Sequence, residues 1–116
     1  MAIALRDGEG ATRDPGRALE TFRTACEAGE AIGCDGAARM LEAGQSGHAD
    51  PTSARGLYTK ACNANLAAAC ERLASLHERG VGGRADRTAA IALYRQACSA
   101  KNAAACDALR RLHAQP

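Results

Sequence analysis

Apolar residues recur along this chain at the spacing of an α-helix, and the same pattern returns every 36 residues. In the first block, Ala18, Phe22, Ala25 and Cys26 are separated by four, three and one positions, so a helix would carry them on one face. A second apolar set follows after a short break, at Cys34, Ala37, Met40 and Leu41. The pattern therefore predicts pairs of helices joined by short connections.

The cysteines mark this repeat most clearly. Three pairs are present, and both members of each pair recur at intervals of 36, at Cys26, Cys34, Cys62, Cys70, Cys98 and Cys106. The longest recurring block, Ala-Cys-x-Ala-x-x-Ala-x-x-Cys, begins at Ala25 and returns at Ala61 and Ala97. A fixed period of this size is typical of stacked repeat proteins. We therefore predict an all-α fold, an α/α superhelix (solenoid) built from 36-residue helical hairpins.

An aspartate is expected to begin the first helix of each hairpin. Asp14, Asp50 and Asp86 share one register, and an aspartate side chain can accept hydrogen bonds from the unpaired amides of a first helical turn. Proline follows the first two of these aspartates, at the helical position where it is favoured. The first helix should end near Glu27, and the second should begin near Ala31 or two residues later.

Turn residues are expected between the helices. Gly29 and Asn65 suit a left-handed turn inside the hairpin, whereas Lys101, at the same register, does not obviously do so. Gly44 and Gly80 are expected to end the second helices of the first two hairpins.

We interpret the whole chain, 1–116, as one repeat domain. The expected units are a partial unit at 1–13, then repeats at 14–49, 50–85 and 86–116. Residues Met1–Gly8 match Ala37–Gly44 after a shift of one period. The start of the chain is therefore expected to be the tail of a second helix without its first helix, as in a fragment of a longer array or in a natural cap that has lost half a unit.

Composition limits the kinds of partner. The formal net charge is +2, with 15 basic and 13 acidic residues, which gives no electrostatic footprint for nucleic acid and no polybasic membrane anchor. No apolar stretch approaches the roughly 20 residues that a membrane span needs. Aromatic residues make up only 3% of the chain, and alanine supplies much of the apolar content. Such a core buries little area per residue and favours covalent reinforcement.

The paired cysteines are expected to provide that reinforcement. Two cysteines eight residues apart across a tight hairpin would lie near the end of one helix and the start of the next, close enough to bond. Each bridge would stabilise the fold by roughly 2 to 3 kcal/mol. Zinc sites favour closer spacings and no Cys-x-x-Cys redox motif is present, although six reduced thiols could bind a soft metal such as Cu(I).

Bridged cysteines would indicate an oxidising compartment, for which we expect the periplasm or the cell exterior, with the mitochondrial intermembrane space as another such place. The segment Met1–Asp7 is too short, and too soon charged, to be a signal peptide.

The cysteine blocks, together with the downstream Gly44 and Gly80, resemble Sel1-like repeats, which are relatives of tetratricopeptide repeats. The version with a 36-residue unit and a cysteine pair spaced by eight is similar to the Helicobacter cysteine-rich proteins. This resemblance implies an α/α superhelix and a disulfide within each unit. It also implies an adaptor or assembly role, since members act mostly as adaptors. Some cysteine-rich members are described as penicillin-binding or as weak β-lactamases, and a mitochondrial assembly factor of this type has a proposed haem link.

The catalytic motifs of serine β-lactamases are absent from this sequence. None of Ser46, Ser53, Ser75 and Ser99 is followed three residues later by lysine, and neither Ser-Asp-Asn nor Lys-Thr-Gly occurs. We therefore predict a protein that is not an enzyme and needs no cofactor, with binding or hydrolysis of a β-lactam or cell-wall peptide as the alternative.

Histidine and aromatic registers offer weaker candidates. His77 and His113 share one register, so they are a weak candidate pair for a metal or haem site, although packing is the simpler explanation. The register of Phe22, Tyr58 and Tyr94 is interpreted as core rather than as a ligand stripe.

A binding groove is the remaining hypothesis. In the superhelices that this chain resembles, the first helices line a groove. Residues that vary between units would there contact the ligand and determine which ligand binds. The cations at such positions are Arg17, Arg23, Arg55, Lys60, Arg87 and Arg95. They predict binding of a protein or peptide, and an acidic or extended peptide would suit these cations; a solvated helix face is the alternative.

Overall fold

The computed structural model describes residues 14–45 and 47–113, and within them it contains six α-helices. The helices form three consecutive hairpins: α1 (Pro15–Glu27) with α2 (Ala31–Ala43), α3 (Pro51–Asn63) with α4 (Ala67–Arg79), and α5 (Arg87–Ser99) with α6 (Ala103–His113). The predicted partial unit at 1–13 lies outside the described residues. The predicted all-α repeat architecture is confirmed.

The aspartate caps explain where the first helices begin. The side chain of Asp14 accepts a hydrogen bond from the backbone amide of Arg17 at 3.1 Å, so one otherwise unpaired donor of the first turn is satisfied. Asp50 and Asp86 act in the same way on the amides of Ser53 and Ala89, at 3.1 and 3.0 Å. The sequence prediction of three capped helices is confirmed.

The turn inside each hairpin is left-handed in all three repeats. Gly29, Asn65 and Lys101 have φ values of 93°, 71° and 71°. In the third hairpin the amide of Lys101 donates to the carbonyl of Cys98, and the next amide donates to Ala97 at 3.0 Å, which is a Schellman arrangement. Lysine therefore takes a conformation that its residue type did not indicate, because the turn satisfies the last carbonyls of the helix.

The turns between consecutive repeats also have a common conformation. Gly44 and Gly80 have φ values of 73° and 70°, and both end a second helix as predicted. In each case the amide of the next capping aspartate returns to a carbonyl of the preceding helix, Leu41 or His77, at 2.8 Å. The loop between repeats is therefore tied to the helix it leaves.

Each helix packs mainly on the helices that precede and follow it in the chain, as expected for a quasi-one-dimensional repeat protein. The buried surface is rich in alanine, which lets the helices approach closely. Tyr58 and Tyr94 are the large exceptions, with 0% and 3% of their surface exposed, whereas Phe22 is half-buried. The interpretation of this register as core is confirmed for the two tyrosines.

Candidate binding groove between the first helices

All six cysteines are paired within their own hairpins. The bridges join Cys26 to Cys34, Cys62 to Cys70 and Cys98 to Cys106, with Cα atoms 4.5, 4.6 and 4.8 Å apart. Each bridge connects the last turn of a first helix to the first turn of a second helix. No cysteine is free, so this structure offers no thiol to a soft metal.

A groove lies beside the first of these bridges, between α1 and α3. It has a volume of about 350 Å³. Its lining combines two cations, one apolar side chain, one carboxylate and small groups from both helices: Arg23, Lys60, Leu57, Glu27, Cys26, Ser53 and Gly56. Because both helices are the first helices of their hairpins, the groove lies on the face where the resemblance implied one.

The α3 wall follows from helical spacing. Ser53, Gly56 and Lys60 are separated by three and four positions, which places them on one side of the helix. Gly56 has no side chain, and a Cβ atom added there would meet nothing within 4 Å, so the space beside this part of the wall is open. Leu57 packs partly against the core and leaves the rest of its side chain to the groove.

Charge in the groove is carried mainly by the exposed side chains of Arg23 and Lys60, opposed by Glu27. The hydroxyl of Ser53 is already used, because it donates to Asp50 Oδ2 at 2.8 Å. This bond, together with the amide of Ser53, lowers the pKa of Asp50. The Ser–Asp pair is thus a helix cap, and the groove offers a ligand two cations beside an apolar floor.

Arg55 does not face this groove. Its Nε donates to the carbonyl of Val81 at 2.7 Å, and its Nη2 donates to those of Leu76 and Arg84 at 3.2 and 3.1 Å. The side chain is half-buried at the junction between the second and third repeats. The donors of Arg55 hold the loop that precedes α5, and binding of a ligand by this cation stays a prediction.

The other three predicted cations are spread along the chain. Arg87 donates to the carbonyl of Leu112 at 2.9 Å and so ties α5 to the end of α6. Arg17 lines a small pocket of about 170 Å³ with Ala18 and Phe22, on a different part of α1. Arg95 is exposed on α5, at the register of Arg23 but two repeats away. Only two of the six predicted cations, Arg23 and Lys60, line the same groove.

The histidine hypothesis has little support. Nδ1 of His77 lies 3.2 Å from Nη1 of Arg55, where a permanent cation disfavours a metal ion. Burial, with a smaller effect from Arg55, lowers the pKa of His77. The side chain of His113 lies outside the described part of the structure. Within residues 14–45 and 47–113, no three side chains of His, Cys, Asp or Glu are grouped to hold a metal ion.

The Sel1 repeat model matches residues 1–30, 32–66 and 67–102, which is most of the chain. The chain belongs to the Sel1 repeat family. Two of the matched Sel1 units run from the second helix of one hairpin through the first helix of the next. The match therefore leaves the boundaries at 14–49, 50–85 and 86–116 as predictions, because the starting point of a repeat can be placed at either helix.

Among solved structures, this Sel1-repeat chain is similar to Helicobacter pylori cysteine rich protein B. The TM-score is 0.77 and the sequence identity is 25%, over 82% of this chain and 71% of that chain. The resemblance to Helicobacter cysteine-rich proteins is thus confirmed at the level of fold. A search of curated proteins gave no match.

Two features of the Sel1 scaffold were not evident from its sequence. Gly56 and Leu57 give the groove its width and its apolar floor, and their only signal was that they share a helical face with Lys60. A second cleft, on the side of the second helices, contains Arg39 and Arg72.

Among the described helices, none is long and apolar enough to cross a bilayer.

Proposed function

We propose that this Sel1-repeat protein is an adaptor or assembly factor, and that its first-helix groove binds an extended acidic segment of a partner protein. The observation that carries the proposal is the convergence of Arg23 and Lys60 on one groove whose lining also contains the apolar side chain of Leu57. A carboxylate of the ligand would pair with a guanidinium or ammonium group, and an apolar side chain would cover the leucine.

Exposure limits what each contact contributes. Arg23 and Lys60 are both solvent-exposed, and exposed ion pairs contribute about 0.2 to 1 kcal/mol each. Useful affinity would therefore need an extended ligand that contacts several repeats at once. Arg95, at the register of Arg23 on α5, would meet the far end of such a ligand.

We infer an oxidising compartment, the periplasm or the cell exterior, from the cysteines. All six are bridged, and a glutathione-reduced cytosol does not sustain structural disulfides of this kind. The fold similarity to a cysteine-rich Helicobacter protein supports the same inference.

A charge-reversal experiment tests the groove. The double variant Arg23→Glu/Lys60→Glu should weaken binding of a fluorescent (Glu-Leu)5 peptide at least tenfold in an anisotropy titration. The matched control Lys101→Glu/Arg110→Glu makes the same change in net charge at exposed positions outside the groove. It should change the affinity by less than about twofold. Equal binding of (Glu-Leu)5 and (Gln-Leu)5, or equal losses in both variants, would contradict the proposal.

A further inference from the structure

A second cleft lies between the second helices of the first two repeats, on α2 and α4. Its volume is about 590 Å³, within the usual range of ligand pockets. It is lined by apolar, amide and charged groups: Phe22, Gly36, Arg39, Met40, Glu42, Ala43, Gln45 and Arg72. None of these residues belongs to the first-helix groove.

The cations of this cleft are incompletely compensated. Nε of Arg72 is buried and has no hydrogen-bond partner among the described residues. Arg39 reaches Asp35 only at 3.8 Å, and its side chain is 55% exposed. Buried donors in proteins are generally paired, so the unpaired Nε shows that no acceptor of the described residues is placed for this guanidinium group. Because Nε itself is shielded, a ligand in the cleft would reach Arg72 through the other nitrogens of the group.

The nearby carboxylates do not supply that acceptor. Glu42 accepts the hydroxyl of Tyr58 at 2.8 Å and pairs with Arg79 at 3.5 Å, so its oxygens have partners. Asp35 is 8% exposed, and Oδ1 of this residue has no hydrogen-bond partner. Burial raises the pKa of Asp35, whereas the charges of Arg39 and Arg72 lower it, so this carboxyl interacts with both cations but gives Nε of Arg72 no hydrogen bond.

The equivalent cleft one repeat later is different. It lies between α4 and α6, has about 650 Å³, and is lined by three carboxylates, those of Glu71, Glu78 and Asp107. Its two cations are Arg79 and Arg111. Arg111 is held by both oxygens of Glu78, at 2.6 and 3.1 Å, and Arg79 pairs with Glu42 at 3.5 Å. The register of Arg72 is occupied there by Ala108. Both clefts are thus lined by two arginines, but the lining of the cleft between the first two repeats has one carboxylate where the later cleft has three, so its positive charge is less compensated.

The apolar wall of the cleft is also specific. A Cβ atom at Gly36 would lie 2.6 Å from the ring of Phe22, so glycine allows the ring to lie against α2. Phe22 is half-buried there, whereas its equivalents Tyr58 and Tyr94 are buried. Phe22 and Met40 therefore present an apolar surface to the same cavity that contains the two guanidinium groups.

We propose that this cleft binds a carboxylate attached to an apolar group, and specifically the C-terminal residue of a peptide that ends in an aliphatic side chain. The α-carboxylate would accept hydrogen bonds from Arg39 and Arg72, and the side chain would lie on Phe22 and Met40. This site is independent of the first-helix groove, and it requires nothing of that groove.

Calorimetric titration with two short peptides tests the assignment. Acetyl-Gly-Leu with a free carboxylate should bind at least tenfold more tightly than its C-terminal amide. Arg72→Gln should reduce this acid-to-amide ratio to about one, and Arg39→Gln should reduce it several-fold. Since Arg39 is exposed, the second variant keeps the test valid if Arg72→Gln does not fold. Hexanoate serves as a third probe, because it carries the carboxylate and the apolar group without a peptide.

Two controls separate the outcomes. Arg111→Gln, in the acidic cleft, should leave the ratio unchanged, and so should Arg23→Glu/Lys60→Glu in the first-helix groove. Binding of hexanoate as tight as that of the peptide acid would overturn the peptide assignment. Equal binding of acid and amide, or a ratio that survives both arginine substitutions, would overturn the site itself.

Discussion

The two junctions between repeats use the same polar contact but different loops. At the first junction Tyr58 donates to Glu42, and at the second Tyr94 donates to Glu78 at 3.0 Å. The loop before α5 is additionally bound by Arg55, and Thr52 Oγ1 donates to Gly82 O at 3.4 Å. The first repeat has Leu19 at the register of Arg55, so the loop before α3 lacks this guanidinium.

This difference shows that a residue that does not follow the repeat pattern can have either of two roles. Arg23, Lys60 and Arg55 are all cations that the other repeats do not all share. The first two face solvent in a groove, whereas the third binds carbonyls of the loop that leads to the next repeat. A residue that varies between repeats therefore either lies on a surface open to a partner or holds one particular junction together. Only its contacts in the structure show which of the two it does.

Arg55→Leu should have the largest effect, because it gives the second repeat the residue of the first. Three carbonyls would lose a charged donor, and we expect the free energy of unfolding to fall by about 2 kcal/mol. Urea denaturation followed by circular dichroism measures it. The control Arg23→Leu should stay within about 0.5 kcal/mol of the parent, since that side chain is exposed. Equal stabilities of the two variants would refute the distinction between the two arginines.

Tyr58→Phe and Tyr94→Phe should have smaller and similar effects. Each removes one hydrogen bond to a carboxylate, and we expect a loss of about 1 kcal/mol in either case. Burial, then the neighbouring glutamate, raises the pKa of both hydroxyls, that of Tyr94 to about 12, so both stay protonated donors at neutral pH. Thermal unfolding of both variants measures the losses. A difference much larger than about 1 kcal/mol would show that the two junctions do not share this contact.

The smallest expected effect is a pH dependence confined to the second junction. His77 has a lowered pKa, through burial and then Arg55, with Asp86 acting in the opposite direction. The unfolded chain therefore binds a proton near pH 6.5 that the folded chain does not, so stability falls as the pH drops from 7 towards 5. His77→Gln should flatten this part of the Tm profile, and His48→Gln, in the exposed first loop, should not. Identical profiles for the two variants would count against the contribution of His77.

Part of each junction is formed by residues that do not repeat. Glu42 pairs with Arg79, and Glu78 pairs with Arg111, yet these two arginines do not share a register. Both place a guanidinium beside a glutamate that also accepts a tyrosine hydroxyl. A search for conserved spacing finds the tyrosines and the glutamates, but it cannot find the arginines.

Local rules determine most of the scaffold, and they can be recognised in the order of residues. A capping aspartate, a left-handed glycine and a cysteine eight positions from its partner act over one or two helical turns, so the helices and bridges followed from short-range spacing. The direction of a long cation does not. Arg55 reaches a loop nearly thirty residues away, and Arg72 ends in a cleft beside Arg39, because the packing of helices within and between repeats decides which groups each guanidinium can reach. Short-range interactions thus determine the helices and the bridges, whereas the packing of one repeat on the next determines which surfaces are available to a partner.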